Sequence, residues 1–434
     1  MKTYDDIEFR KTQEIKNLQN ELLREVIDYV FNNSPFYKKY YYNKGIKAGD
    51  IRGIGDLKEL PFTERAYLQS HNADFLATGK DKVAETVVTS GTSGEPVYIY
   101  MTRSDLERLA YNEQKSFACA GVQKGESFLI AVTCDNLFIA GIAYYSGLIR
   151  LGANVARLGP QNTLRQLAML RDLKPEGIVG VPSLMLELSR LMKKEGIKIG
   201  ELGLKRLVLI GDSIRNHDFT SNTLGRLIED SFGRITYSTY GITEGQSSFC
   251  ECPERQGLHC HPELIIPEVI DEDGNSLPYG EVGELVITTL QIEGVPLIRY
   301  KTGDITFLMA GRCGCGRNSV RIGPILGRKY QKLKFKGVTL FPKSIENALL
   351  ELDDVVNYQI EAYSGEDSTD RIILRVGTNR NDKAFFSVLK DTLQAMLRVT
   401  PEIVIESPEI LKRRLYESGS RKAKVFVDRR EKRQ

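Results

Sequence analysis

Apolar positions first fall at helical spacing near the start of the chain. Between Glu8 and Asn33, residues Ile15, Leu18, Leu22, Leu23, Val26, Ile27 and Val30 recur every three or four positions. This spacing predicts an amphipathic helix, closed by Asn33-Ser34-Pro35. From Val83 to Val320 the texture changes. Short apolar runs such as 127–133, 177–181 and 207–210 alternate with helical stretches such as 163–173 and 184–194. Strands interleaved with helices predict a layered α/β architecture with parallel sheets. Segments 280–290 and 292–299 read as paired strands ahead of a turn at Thr302-Gly303-Asp304. Beyond Gly327-Arg328 the pattern becomes compact α+β, with helices expected over 342–352 and 383–397 and strands over 358–363, 371–376 and 403–405. The expected division is a large, multi-subdomain N-terminal part, 1–327, and a small α+β C-terminal part, 328–434. The basic stretch from Lys412 to Arg433 reads as a solvated end.

Length and composition bound this picture. A chain of 434 residues with 41% hydrophobic and 27% charged residues has material for more than one enzyme-sized core. Lys+Arg exceed Asp+Glu by only three, 60 against 57, so no global field draws the protein to nucleic acid or to an anionic membrane. Residues 128–149 carry a single charge, but Thr133-Cys134-Asp135-Asn136 lies within them, which favours a buried strand, loop and helix over a membrane span. The start has no secretory pattern. Seven cysteines, five of them at 250, 252, 260, 313 and 315, suggest a metal in a reducing compartment, and a cytoplasmic protein, over a disulfide framework.

Three short segments carry candidate chemistry. Thr89-Ser90-Gly91-Thr92-Ser93-Gly94-Glu95-Pro96 follows an apolar run, and its small residues allow backbone N–H groups and hydroxyls to close around a phosphate. It lacks the Gly-Lys-Ser/Thr ending of the nucleoside-triphosphatase loop. Tyr240-Gly241-Ile242-Thr243-Glu244 sets an aromatic ring, a flexible glycine and a carboxylate side by side, and a glutamate there suits Mg²⁺ held against a triphosphate. Tyr300-Lys301-Thr302-Gly303-Asp304 offers a carboxylate suited to two ribose hydroxyls.

In this order, followed by Gly327-Arg328 and by Gly419-Ser420-Arg421-Lys422-Ala423-Lys424, these segments resemble the adenylate-forming enzyme superfamily. Within it, Ser34-Pro35-Phe36-Tyr37, Leu60-Pro61-Phe62-Thr63, Gly180-Val181-Pro182-Ser183 and Gly283-Glu284-Leu285 resemble landmarks of the phenylacetate–coenzyme A ligases. The resemblance implies a large N-terminal domain and a rotating C-terminal domain with the active site between them. It implies ATP-dependent conversion of an aryl acid to acyl-AMP and then to its coenzyme A thioester, with ATP, Mg²⁺ and coenzyme A as cofactors and partners. A homodimer is a family expectation. Residue by residue, Ser90, Gly91, Thr92, Ser93 and Gly94 would hold the β- and γ-phosphates, and Glu244 the Mg²⁺. Tyr240, with Gly241 and Thr243, would lie near the adenine, Asp304 at the ribose and Arg328 at the ribose or phosphates near the hinge. Lys422 would reach in for adenylation, and Gly337 would lie near the coenzyme A thiol.

The sequence departs from the family at three places. Glu95 stands where many members carry Lys, Lys329-Tyr330-Gln331 where paired aspartates serve as hinge, and Gly211-Asp212-Ser213 where Gly-Gly-Glu is common near the acyl pocket. Cys252, His259, Cys313 and Cys315, within 250–315, coincide with a pattern carried by a subset of the family, and three thiolates with one imidazole suit a structural Zn²⁺. Cys250, Cys260 and His261 are alternative ligands, while Cys119 and Cys134 read as small buried apolar residues. Two other readings stand beside this one: adenylation of a different acid, or with an amine, cofactor or carrier thiol as acceptor, and a zinc-stabilised nucleic-acid binder. The near-neutral charge and the scarcity of aromatics in the basic tail oppose the second.

Overall fold

The computed structural model describes residues 1–4, 6–89, 96–365, 369–380, 382–416 and 423–430. Ser90, Gly91, Thr92, Ser93 and Gly94, together with Lys422, lie outside the described residues. The chain divides into two compact units, 1–221 with 225–325, and 222–224 with 326–434.

The first unit is built on a nine-stranded sheet. Five of its strands are parallel, in the order Asn154–Arg157, Ser127–Ile130, Gly177–Gly180, Arg206–Leu209 and Thr236–Ile242. The expectation of parallel sheets fails beyond that point, because Ser247–Glu251 and then Leu258–His259, Arg321–Ile322 and Leu308–Met309 pair antiparallel. The physical reason is the connection Thr243–Gln246. Four residues cannot make the crossover that a parallel neighbour requires, so the chain returns as a hairpin. Helices Arg103–Cys119 and Ile139–Leu151 pack beside these strands. The first is opened by a reciprocal cap, in which Asp105 N donates to Thr102 Oγ1 at 3.2 Å and Thr102 N to Asp105 Oδ2 at 2.9 Å.

A second sheet joins Ile265–Ile270, Gly283–Thr289 and Tyr300–Thr306 antiparallel. Segment 292–299 is not the expected strand. Val295, Leu297 and Ile298 are fully buried, but their backbone bonds irregularly: Ile298 N donates to the Tyr37 hydroxyl, Leu297 N to Thr289 Oγ1 and Gly294 N to Asp105 Oδ2. A buried loop served by side chains has the same apolar pattern as a strand. The expected turn at 302–304 lies within strand Tyr300–Thr306, where the pairing slips between Glu284 and Val286 and residues 302–304 bulge outward.

At the start of the chain the helix runs Thr12–Asn33, four residues shorter than expected at its front, and it closes at Ser34 as expected. Ser34 caps a further helix, Pro35–Tyr42, accepting from Tyr37 N. No helix among the described residues is long and apolar enough to cross a membrane.

In the second unit, strands Glu402–Glu406, Asp370–Gly377, Asn357–Ser364 and Phe426–Asp428 form one sheet. Helices Pro342–Leu349 and Lys383–Leu397 contribute Ile345, Leu349, Leu389 and Leu393 to its core. The basic stretch is not simply solvated. Leu411 and Leu415 are buried, Phe426–Asp428 pairs parallel with Asn357–Ser364, and the Arg430 guanidinium spans Asp428, Asp370 and two backbone carbonyls. Gly337 forms, with Lys336, a two-residue hairpin turn between Leu333–Phe335 and Val338–Leu340, both residues having positive φ.

Candidate active site and metal centre

Strand Thr236–Ile242 stays paired with Ser247–Glu251 to its end and turns back through Thr243–Gln246, which places Tyr240 just before one tight connection and Glu244 within it. That connection is braced by a residue that sequence reasoning did not single out. Arg108, fully buried, donates to the carbonyls of Gln246, Leu264 and Leu290 and to Ser247 Oγ. Burial lowers its guanidinium to about 10, and Asp105 and Glu263 oppose the loss of charge.

Tyr240 is half-buried, its ring parallel to Phe249 with centroids 6.0 Å apart. Its hydroxyl donates to Asp304 Oδ2 at 2.7 Å. Burial first, and then the Asp304 charge, push the phenol well above its ordinary value, so it remains a donor. Asp304 is held by the bulge, its N–H donating to Thr302 Oγ1, which itself donates to Leu285 O. The Tyr240 and Asp304 motifs, 64 residues apart, are thus one constellation.

Glu244 is already engaged. Arg65 Nη1 donates to its Oε1 at 2.8 Å, and the Tyr300 hydroxyl lies 3.4 Å from the same oxygen. Oε2 has no partner among the described residues, so a carboxylate oxygen is available for a Mg²⁺ ion. Arg65 Nη2 donates in turn to Thr89 Oγ1 at 2.8 Å, at the residue preceding Ser90. The sequence reading did not identify Arg65. The signal that marks it is its place directly after Leu60-Pro61-Phe62-Thr63. Thr63 bridges strand residue Tyr300 and is fully buried, so Arg65 begins its short helix from a fixed point.

Arg328 and Gly337 belong to the second unit. Both are exposed, and Arg328 Nη1 donates to the Tyr330 hydroxyl at 2.7 Å. Of the aromatic residues near the expected acyl pocket, Tyr144 is core, fully buried and edge-on to Phe117.

Cys252, His259, Cys313 and Cys315 bring one ligand atom each to within 4.8 Å of all the others. Cys252 Sγ and Cys313 Sγ are 3.7 Å apart, and Cys315 Sγ and His259 Nε2 3.5 Å. A tetrahedral zinc with ordinary bond lengths sets these edges at about 3.8 Å for S–S and about 3.6 Å for S–N. The donors therefore fit that ion. His259 Nδ1 faces Ser319 Oγ at 3.2 Å, which directs Nε2 to the cluster, and burial holds the ring neutral, lowering it to about 3. The three alternative ligands are excluded from the cluster: His261 lies between Glu8 and Ser116, and Cys250 and Cys260 are buried apart from it. Cys119, expected to be an apolar filler, packs against Cys252 and Cys313. Arg317 joins cluster and surroundings, its Nη1 3.6 Å from Cys315 Sγ and its Nε 3.0 Å from Glu8 Oε2.

Comparison with known proteins gives a consistent result. The AMP-binding enzyme family matches residues 26–293, and the AMP-binding enzyme C-terminal domain matches residues 337–430. A phenylacetate-coenzyme A ligase of Thermus thermophilus is 35% identical over 361 residues, 82% of this chain and 80% of that one. Its counterpart in Aromatoleum evansii is 28% identical over 99% of this chain and 97% of its own. Among solved structures, a 2-hydroxyisobutyryl-CoA ligase in the postadenylation state, in complex with 2-HIB-AMP, superposes with a TM-score of 0.83. It covers 99% of this chain and 94% of that one, and at 21% identity it speaks for the fold alone.

Proposed function

Because the chain belongs to the phenylacetate–coenzyme A ligase family of AMP-binding, adenylate-forming enzymes, and so is an AMP-forming acid–thiol ligase, we propose that it activates an aryl acid such as phenylacetate. The acid's carboxylate attacks the α-phosphate of ATP, pyrophosphate departs, and the acyl-AMP passes its acyl group to the thiol of coenzyme A with release of AMP.

The observation that carries this reading is the convergence of Tyr240, Asp304, Glu244 and Thr89 on one region through three hydrogen bonds, Tyr240 to Asp304, Arg65 to Glu244 and Arg65 to Thr89. In it Asp304 receives the ribose hydroxyls, and Tyr240, with Gly241 and Thr243, borders the adenine. Ser90 to Gly94 enclose the β- and γ-phosphates. Glu244 offers Oε2 to Mg²⁺, whose chemistry there is to offset phosphate charge. Attack on an anion by an anion requires such charges in place before reaction. Lys422 supplies a cation for adenylation, Arg328 meets the ribose or phosphates near the hinge, and Gly337 comes near the coenzyme A thiol when the C-terminal domain, 328–434, changes position for thioester formation. The four-ligand cluster holds a structural zinc, with no ligand position left over for catalysis. The clustered thiols, which suit a reducing compartment, support a cytoplasmic reaction.

The test is ATP–pyrophosphate exchange with Mg²⁺ against aryl, fatty and amino acids, with and without coenzyme A. Exchange with an aryl acid and coenzyme A-dependent AMP release are expected. Exchange with another class of acid overturns the aryl assignment, and AMP release indifferent to coenzyme A overturns the acceptor.

A further inference from the structure

In sequence, Glu95 and not a lysine follows the last glycine of the segment proposed to hold the phosphates; Glu95 lies outside the described residues, and its charge is one that a triphosphate bound there would have to offset. Glu244 and Asp304 add two more carboxylates to the same region. Arg65 brings a cation to this region through Glu244 and Thr89. Its Nη1 and Nη2 each make one 2.8 Å bond, to Glu244 and to Thr89 at the mouth of the loop. Its Nε is buried and has no partner among the described residues. A guanidinium presents five N–H donors in a planar fork, so two bonds leave donors over, and one of these is shielded from water. Such a fork suits two phosphate oxygens at once.

The support beneath Arg65 is unusually firm for a residue on a six-residue helix. Thr63 N donates to Arg299 O and Lys301 N to Thr63 O, while Thr63 Oγ1 bonds Ile298 O. Arg299 stacks on Phe62 at 4.0 Å and donates to Leu60 O. Lys301 Nζ holds Glu64 at 3.0 Å. The segment 60–65 is clamped to the strand that carries Asp304.

We propose that Arg65 binds the β- and γ-phosphates of ATP, supplying from outside the loop the cation that Glu95 denies it, and positions Glu244 until Mg²⁺ shares that carboxylate. This rests on the adenylation reading above. The roles separate by ligand, since ATP and pyrophosphate carry those phosphates and AMP does not.

Calorimetry on the full chain with Mg²⁺, titrating ATP, pyrophosphate and AMP in turn, tests the assignment in the wild type, Arg65→Met, Arg65→Lys and Arg65→Met/Glu95→Lys. Arg65→Met is expected to weaken ATP and pyrophosphate about 10- to 100-fold, with AMP within about twofold. Lysine at 65 or at 95 should recover most of that loss. Unchanged ATP binding in Arg65→Met overturns the proposal. So does an equal loss for AMP and ATP relieved by neither lysine, which marks a structural arginine. If Arg65→Met does not fold, Arg65→Lys against Arg65→Lys/Glu95→Lys gives the same comparison, and no gain from the second lysine overturns it. Binding stands apart from turnover: ATP bound through Arg65 with no exchange for any acid sinks the adenylation reading and leaves this site intact.

Discussion

The Tyr240 hydroxyl donates to the Asp304 carboxylate across 2.7 Å, tying a strand of one sheet to the bulge of another. The bond orients a carboxylate that is itself buried, and it fixes the ring proposed to border the nucleotide. Neither residue reaches the reacting phosphorus in the proposed site, so the pair acts on binding.

Tyr240→Phe keeps the ring and removes the donor. A hydrogen bond to a charged group contributes about 1.5–3 kcal/mol. The KM for ATP should therefore rise about tenfold or more, with the KM for the acid little changed. Steady-state kinetics with each substrate varied separately checks this. Equal increases in both constants would remove the nucleotide assignment of the pair.

Lys422→Ala separates the two half-reactions. Losing one preorganised charge at the transition state costs about 10²–10³ in rate. Pyrophosphate exchange should fall by that factor, while coenzyme A thioester formation from supplied acyl-adenylate stays near the wild-type rate. Comparable losses in both assays would return Lys422 to the status of one more cation in a basic segment.

How much of this was legible in sequence depends on how local the determinant is. The Tyr240–Glu244 and Tyr300–Asp304 motifs and the strands and helices around them are short contiguous patterns, and they formed where expected, except that Thr302-Gly303-Asp304 is a bulge and not a turn. Arg65 and Arg108 were not legible. Each reads as an ordinary helical cation until the fold brings Glu244, 179 positions away, or Gln246, 138 positions away, against it. Segment 292–299 misled for a related reason. Apolar periodicity reports burial, and burial alone does not say whether the backbone bonds to a neighbouring strand or to Tyr37 and Thr289 side chains. The cysteines and histidine were legible as a set because so few residue types hold zinc.

The metal centre makes a stoichiometric prediction. Protein purified without chelator should carry one zinc per chain by elemental analysis. Cys313→Ser or His259→Ala should abolish retention and lower the thermal midpoint, and Cys260→Ala should keep the metal. Wild-type protein that is free of zinc at full thermal stability would refute a structural zinc.

Glu113 gives a pH dependence of definite sign. Burial raises its carboxyl to about 7, against the hydrogen bonds from Ser248 Oγ at 2.8 Å and Asn112 Nδ2 at 3.3 Å. The folded state thus binds a proton that the unfolded state has lost between about pH 4.5 and 7, so this group's contribution to stability falls as pH rises through that window and is level above it. Glu113→Gln, which keeps an acceptor and carries no charge, should flatten that fall and stabilise the protein at pH 8 by up to a few kcal/mol. Thermal midpoints of both proteins from pH 5 to 8 provide the check, and parallel profiles would exclude Glu113 as the source.

Asn318 N donates to the Glu8 backbone carbonyl at 2.6 Å, and Arg317 reaches from the Glu8 carboxylate to the cysteine cluster. On a ribosome that contact has no partner until residue 318 has left the exit tunnel. At about 5–20 residues per second, the leading segment waits on the order of tens of seconds with Glu8 unsheltered. The order of synthesis therefore makes closure of the cysteine cluster a late event in assembly of the N-terminal unit.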